Sequence, residues 1–314
     1  MAVRSSVGQR LRVAARVAVS DGLRIVPLRA VEAARRRHLL VPVLRHRSIA
    51  GLGDFTVTGK PPVRLAAVDS RLVRLLYWYG EKGYEAHEVF WWRHFCERAT
   101  GILEIGANVG YYTVQGALAA PQIPYTAVEA HPESAEIVRH NLGLNEIDHV
   151  RVVHGAVVGT VTAETVELAL PDLERYAAPT GAFLAKATEG VGSRRASRRS
   201  ISVPAVAAGS LIDGVDLVKL DIEGFEYAVL EPIVQPLVER RATILVEVLR
   251  DTPKLRSLLT GMADQGYRFW LVSDPALREV SAQALGSVDL TSEYGSRDLA
   301  AIPTERTDLT DAAG

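Results

Sequence analysis

Between residues 101 and 302 short apolar runs recur at a spacing too long for hairpins, and helical stretches fill the gaps. Gly101–Ile105, Tyr125–Val128, Val150–His154, Val215–Leu220, Ile244–Val248 and Arg268–Val272 read as buried strands, with Leu299–Ile302 as a seventh. Helices are expected through Ala119, from Glu133 to Asn141, through Leu230 and from Lys254 to Gln265. Strands alternating with helices predict an α/β fold, with a mostly parallel sheet covered on both faces. Val161–Leu170 alternates instead and reads as an exposed antiparallel strand, with 202–206 as its expected partner.

The most specific stretch is Ile102-Leu103-Glu104-Ile105-Gly106-Ala107-Asn108-Val109-Gly110-Tyr111-Tyr112. A buried strand enters a tight turn, and Gly106 and Gly110 let the backbone approach a ligand before a helix begins with free N–H groups. Dinucleotide folds use this geometry for a pyrophosphate. Here Asn108 replaces the second glycine of that fingerprint, and Glu104 sets a negative charge beside the turn. Both disfavour a pyrophosphate and suit a cationic ligand such as S-adenosylmethionine, so an NAD(P)-dependent oxidoreductase is the weaker reading. Glu129 closes the next strand, where an acid can accept both hydroxyls of a ribose. Asp221 closes the fourth strand, with Glu223 and Glu226 on the same turn and Glu247 at the end of the fifth. Glu226 can also be read simply as an acid favouring a helix N-terminus. Clustered carboxylates cost stability unless they bind cations or do proton chemistry.

Taken together, Glu-Ile-Gly-Ala-Asn-Val-Gly-Tyr-Tyr-Thr at 104–113, Val-Glu-Ala-His-Pro at 128–132, Gly-Ala-Val at 155–157, Lys-Leu-Asp-Ile-Glu-Gly-Phe-Glu at 219–226 and Leu-Val-Glu-Val at 245–248 resemble the FkbM-type methyltransferase family. The resemblance covers about residues 70–303. It implies a class I methyltransferase Rossmann-like fold, a seven-stranded sheet with an antiparallel last strand, and O-methylation of a sugar, glycoconjugate or secondary metabolite. It also implies a cofactor site of Glu104, Gly106, Ala107, Asn108, Gly110, Tyr111, Tyr112 and Thr113 towards methionine, Glu129 and Ala130 at the ribose, and Ala156 and Val157 near adenine. Asp221 and Glu223 would face the sulfonium and the acceptor hydroxyl. Two departures stand out: Ala130 and His131 occupy positions where the family often has proline and asparagine.

A hydroxyl is a poor nucleophile and gains from a general base. Glu223 or Asp221 is the first candidate and His154 a weaker one. A divalent cation held by Asp221 and Glu247 is the lesser alternative. A degenerate methyltransferase fold acting as a binding module would be expected to lose the acids at 104, 129, 221 and 223, which are all present.

The remaining expectations concern the flanks. Residues 1–65 form an Arg-rich N-terminal extension, with eleven arginines before residue 50 opposed only by Asp21 and Glu32. Its apolar spacing suggests amphipathic helices packing on a methyltransferase domain of residues 66–314, with peripheral contact to an anionic membrane surface as an alternative. Residues 51–98 read as transitional, broken by Gly51-Leu52-Gly53 and Pro61-Pro62, with helices at 72–79 and 88–95. Residues 171–200 read as a lid-like insertion whose basic run, Arg194 to Arg199, reads as a solvated loop, with closure over an anionic acceptor as the alternative. The net charge of −1 gives no electrostatic case for a nucleic-acid partner. The single cysteine, Cys96, amid Trp91, Trp92 and Phe95, reads as a core residue, and a cytoplasmic location is the default.

Overall fold

The computed structural model describes residues 27–36, 48–170, 183–184, 199–272, 276–287, 290 and 297–311. These form two compact units, one ending at Tyr84 and the other beginning at Glu85. In the first, β1 (Asp54–Val57) and β2 (Val63–Ala66) pair as an antiparallel hairpin with Asp54 opposite Ala66. Phe55, Val57, Val63 and Leu65 alternate with exposed residues and are buried, as a two-residue side-chain period requires. The proline pair that breaks regular structure in the sequence lies in this hairpin's turn. Helices α1 (Leu28–Arg36) and α2 (Arg71–Tyr79) complete the unit. The Arg35 guanidinium lies 4.3 Å from the centre of the Tyr77 ring and donates to the Thr56 carbonyl at 2.9 Å. The Arg-rich reading of residues 1–26 falls outside the described residues. Among the described residues no helix is long and apolar enough to cross a membrane.

The second unit opens with α3 (Ala86–Cys96) and is built on an eight-stranded sheet. In chain order its strands are β3 (Ile102–Ile105), β4 (Tyr125–Glu129), β5 (Val150–His154), β10 (Leu217–Leu220), β11 (Thr243–Glu247), β12 (Tyr267–Leu271), β13 (Arg278–Val280) and β14 (Asp298–Pro303). Their spatial order is 13-12-14-11-10-3-4-5. Strands 5, 4, 3, 10 and 11 are parallel, and β14 inserts antiparallel between β11 and β12. Seven of these are the strands expected from sequence, the last antiparallel. The eighth, β13, is an added edge strand, antiparallel to β12, that the sequence reading lacked.

Parallel strands need crossovers, and α4 (Tyr111–Ala119) and α5 (Pro132–Leu144) supply the first two. The later ones are α6 (Glu226–Leu230), α7 (Val234–Glu239) and α8 (Pro253–Met262). Helices on both faces bury β3, β10 and β11 along their whole length. Hence their near-continuous apolar runs. Leu103, Val218, Ile244, Val246, Leu255 and Leu259 share one core cluster. At the opposite edge from the site, Asp216 accepts the N–H groups of Thr100 and Gly101 at 2.8 and 3.1 Å, tying the start of β3 to β10.

A smaller sheet carries β6 (Ala156–Val158), β7 (Thr165–Leu170), β8 (Phe183–Leu184) and β9 (Arg199–Ala207), in the order 6-9-7-8. The expected pairing of 161–170 with 202–206 is found, from Thr165 opposite Pro204 to Leu170 opposite Arg199. Most of the lid-like insertion, with Arg194, Arg195 and Arg198, lies outside the described residues.

Candidate functional site

The turn after β3 is shaped by its neighbours in the sheet. Gly106 has φ +95, and a Cβ there would overlap the Asp221 carbonyl oxygen at the end of β10. The glycine is therefore required by strand-to-strand approach as well as by any ligand, which revises the reading of that position. Asn108 has φ +53, a left-handed conformation that asparagine tolerates. Gly110, φ +79, precedes α4, and a Cβ on it would press to 3.2 Å against Val138 of α5. Ala107, Tyr111 and Thr113 are buried with this helix. Trp92 of α3 donates its indole N–H to the Tyr112 carbonyl at 3.1 Å, packing α3 onto α4. Cys96 is fully buried there, as expected.

Glu129 ends β4. Its two carboxylate oxygens accept the Asn108 and His131 N–H groups, each at 2.8 Å. Burial pushes this carboxyl up to about 7, against the pull of the His131, Asn108 and Ala130 N–H groups. His154 of β5 stands opposite Glu129 in register. Three buried polar atoms in these segments lack a protein partner: Asn108 Oδ1, His131 Nδ1 and His154 Nε2. The Glu129 carbonyl accepts the N–H of Gly155 at 3.0 Å, which places the start of β6, with buried Ala156 and Val157, beside it. Ala130 is partly buried and packs against the apolar cluster that holds Ala156, Val158 and Val203.

A charged network occupies the ends of β3, β10 and β11. Glu104 is buried, and burial raises its carboxyl above the ordinary range. Tyr125 donates its phenol to it at 2.6 Å. Glu104 thus reads as a held, internal acid. Lys219, also buried, bridges Glu88 of α3 at 3.2 Å and Asp221 at 3.3 Å. Burial alone would lower the Lys219 ammonium, but Glu88, Asp221, Asp298 and Glu85 outweigh it and hold it well above its ordinary value. Its Nζ lies 4.3 Å from the centre of the Tyr112 ring, and the Tyr112 hydroxyl donates to Glu85 at 3.0 Å.

Asp221 is half-exposed. Its N–H donates to the Ile105 carbonyl at 3.1 Å, so its position is set by the β3–β10 pairing. Glu223 sits on the following turn with φ +56. Glu226 holds that turn: one carboxylate oxygen accepts the N–H groups of Ile222 and Gly224 at 3.1 and 3.0 Å. Glu247 is paired with Arg297 at 2.8 Å, while burial and the nearby charge of Asp221 raise its carboxyl well above the ordinary range. The proposed cation pair of Asp221 and Glu247 thus already has Lys219 and Arg297 as partners. Among the described residues no group of three or more His, Cys, Asp or Glu is arranged to hold a metal.

The structure brings Glu104, Tyr112, Asp221 and Glu223 to one region, with Gly106 to Gly110 and Glu129 alongside. It adds Glu85, Glu88, Lys219, Arg297 and Asp298, which the sequence reading did not use.

The family model for the methyltransferase FkbM domain matches residues 104–269. A curated relative, the ribosomal RNA small subunit methyltransferase G of Chloroflexus aggregans, is 26% identical over 163 residues, which span 48% of this chain and 63% of that protein. The chain therefore covers less than two thirds of that relative. A solved FkbM methyltransferase from Methylobacillus flagellatus KT aligns over 76% of this chain and 56% of its own, at 12% identity and a TM-score of 0.41. The O-methyltransferase of Bacillus cereus, solved in complex with SAH, aligns over 69% and 80%, at 14% identity and a TM-score of 0.37. The family match spans more than half of the chain and takes in the end of β3, Glu129 at the tip of β4 and the β10 turn, so the protein belongs to the FkbM methyltransferase family.

Proposed function

We propose that the protein transfers a methyl group from S-adenosylmethionine to a hydroxyl of a sugar, glycoconjugate or secondary metabolite. The observation that carries the reading is Glu129. It stands at the carboxyl end of the second parallel strand, with unpartnered polar atoms of Asn108, His131 and His154 in the adjoining segments. Those groups fit the vicinal hydroxyls and polar edges of an adenosine. The acids of the β10 turn fit the cationic end of the cofactor.

When bound, the cofactor supplies an electrophilic methyl group with a leaving group already activated. The protein's share is then alignment and the handling of one proton. Glu129 would hold the ribose. Lys219 fixes Asp221 from within the sheet, and Asp221 with Glu223 would line the acceptor side. Support for oxygen as acceptor comes from the carboxylates, because a hydroxyl needs a proton acceptor. An RNA acceptor, named for the Chloroflexus relative, is disfavoured because these acids would repel phosphates.

Calorimetry with S-adenosylmethionine and its demethylated product tests the cofactor. Transfer of label from methyl-tritiated S-adenosylmethionine to an alkali-stable ether tests the chemistry. Absence of cofactor binding, or an alkali-labile ester as the product, would overturn the reading.

A further inference from the structure

We propose that Glu85 accepts the proton of the acceptor hydroxyl, with Tyr112 holding its carboxylate in place. The inference rests on the O-methylation reading above and names the group that performs its proton step.

Four of the neighbouring acids are already engaged, which leaves Glu85 to be set against Glu223 by experiment. Asp221 is ion-paired with the Lys219 ammonium at 3.3 Å. Glu88 is buried on the other side of the same ammonium. Glu226 is fully buried and spends an oxygen on two backbone N–H groups. Glu247 is ion-paired with Arg297. Glu85 differs from all four. Its hydrogen bond comes from a neutral phenol, Tyr112, at 3.0 Å, and the nearby cation is already bound to two other carboxylates.

The backbone agrees. Glu85 takes a left-handed conformation, φ 41 and ψ 45, immediately before α3. Such a conformation is unfavourable for a side-chain-bearing residue and persists where the surroundings impose it, often at functional sites. Although Glu85 is exposed as a residue, its carboxyl lies among protein groups. Loss of water, then the charges of Glu88 and Asp221, push it up to about 7, against Lys219 and the Tyr112 hydrogen bond. Asp298 is the further acid within its field. A proton acceptor near neutrality suits this role.

In balanced terms the hydroxyl O–H bond breaks and the proton forms a new O–H bond on Glu85. The oxygen's electron pair forms the C–O bond, and the pair of the old C–S bond leaves with sulfur.

The test uses the full chain, methyl-tritiated S-adenosylmethionine and a deproteinised polar extract of the source cells, counting alkali-stable label in product that fragment mass spectrometry identifies as an O-methyl ether. Glu85→Gln should lower transfer by about 100-fold or more, in the range of general-base loss, with affinity for the demethylated cofactor within about threefold. The wild-type rate should climb with pH to a plateau above roughly 7, and Glu85→Asp should displace the midpoint. Alkali-stable transfer unaffected by Glu85→Gln, or a loss confined to Glu223→Gln, overturns this proposal while leaving O-methylation standing. An alkali-labile product overturns both, since a carboxylate acceptor has no proton to lose. Independently of any acceptor, carbon-13 carboxyl spectra of the product-bound protein should show the signal absent from Glu85→Gln titrating near 7. A midpoint in the ordinary carboxylate range overturns the assignment.

Discussion

The backbone carbonyl of Asp221 fills the space where a Cβ on Gly106 would stand. The turn that follows the first parallel strand is thereby locked to the end of the fourth. Gly106→Ala should accordingly destabilise the protein even without a ligand. The left-handed backbone alone costs about 1–2 kcal/mol for a residue with a Cβ, and displacement of the β10 end adds to it. Thermal unfolding of the cofactor-free protein checks this. A variant that unfolds at the wild-type temperature but has lost cofactor affinity would return Gly106 to a purely ligand-facing role.

Glu129→Ala removes an acceptor of two backbone N–H groups and the proposed ribose contact together. Glu129→Gln separates them, because the amide can accept one N–H while losing the charge. The expected loss of affinity for the demethylated cofactor is about 1–3 kcal/mol in either variant, read by calorimetry. Unchanged affinity in both would remove Glu129 from the site.

Lys219 is a buried cation between two carboxylates, and Glu88 is as deeply buried as the lysine. Lys219→Met should cost about 3–5 kcal/mol, because it strands a buried charge. The double variant Lys219→Met/Glu88→Gln should recover part of that loss, since no uncompensated carboxylate then remains on α3. Urea unfolding of the single and double variants measures the coupling. Equal stability of the two would mean that Glu88 relaxes to solvent once the lysine is gone.

Glu226 carries a sign that can be worked out. Burial raises its carboxyl to about 7, so between roughly 4.5 and 7 the folded state binds a proton that the unfolded state has released. Stability contributed by this group is therefore lost as pH rises through that window. Glu226→Gln keeps an oxygen for the Ile222 and Gly224 N–H groups and carries no charge. It should be close to neutral at pH 5 and stabilising at pH 8, by an amount on the order of 1–3 kcal/mol. Unfolding curves at the two pH values decide it. A variant destabilised equally at both would mean that the amide cannot hold the turn.

The acids that end apolar runs were legible in the sequence because their position alone carries the signal. Glu129 and Asp221 each close a buried strand, and both lie at the carboxyl edge. Glu85 and Glu88 gave no such sign. They precede the first motif, Glu85 just before and Glu88 within a helix of mixed aromatic and polar residues, and their relation to Lys219 exists only once α3 packs on α4. Lys219 sat inside a quoted motif, yet a lysine within an apolar run says nothing of the two carboxylates that hold it. Gly106 was legible as a turn residue, but its reason required knowing that β10 ends beside β3. The strand β13 escaped because three residues, two of them exposed and charged, have no readable period.

The antiparallel insertion of β14 sets an order of assembly. The parallel strands β5, β4, β3, β10 and β11 can pair as soon as the chain to Glu247 is available, but β12 reaches this platform only through β14. During synthesis the chain thus carries β11 as an open edge, and β12 with only the short β13 beside it, until residues 298–303 emerge. Long-range pairings of this kind close late, and exposed strand edges invite intermolecular pairing meanwhile. A chain stopped at residue 297 would retain every acid of the site except Asp298, yet present two unfinished edges to its neighbours. Its expected fate is aggregation in spite of an almost intact active-site sequence, which makes the last strand a checkpoint on the solubility of the whole sheet.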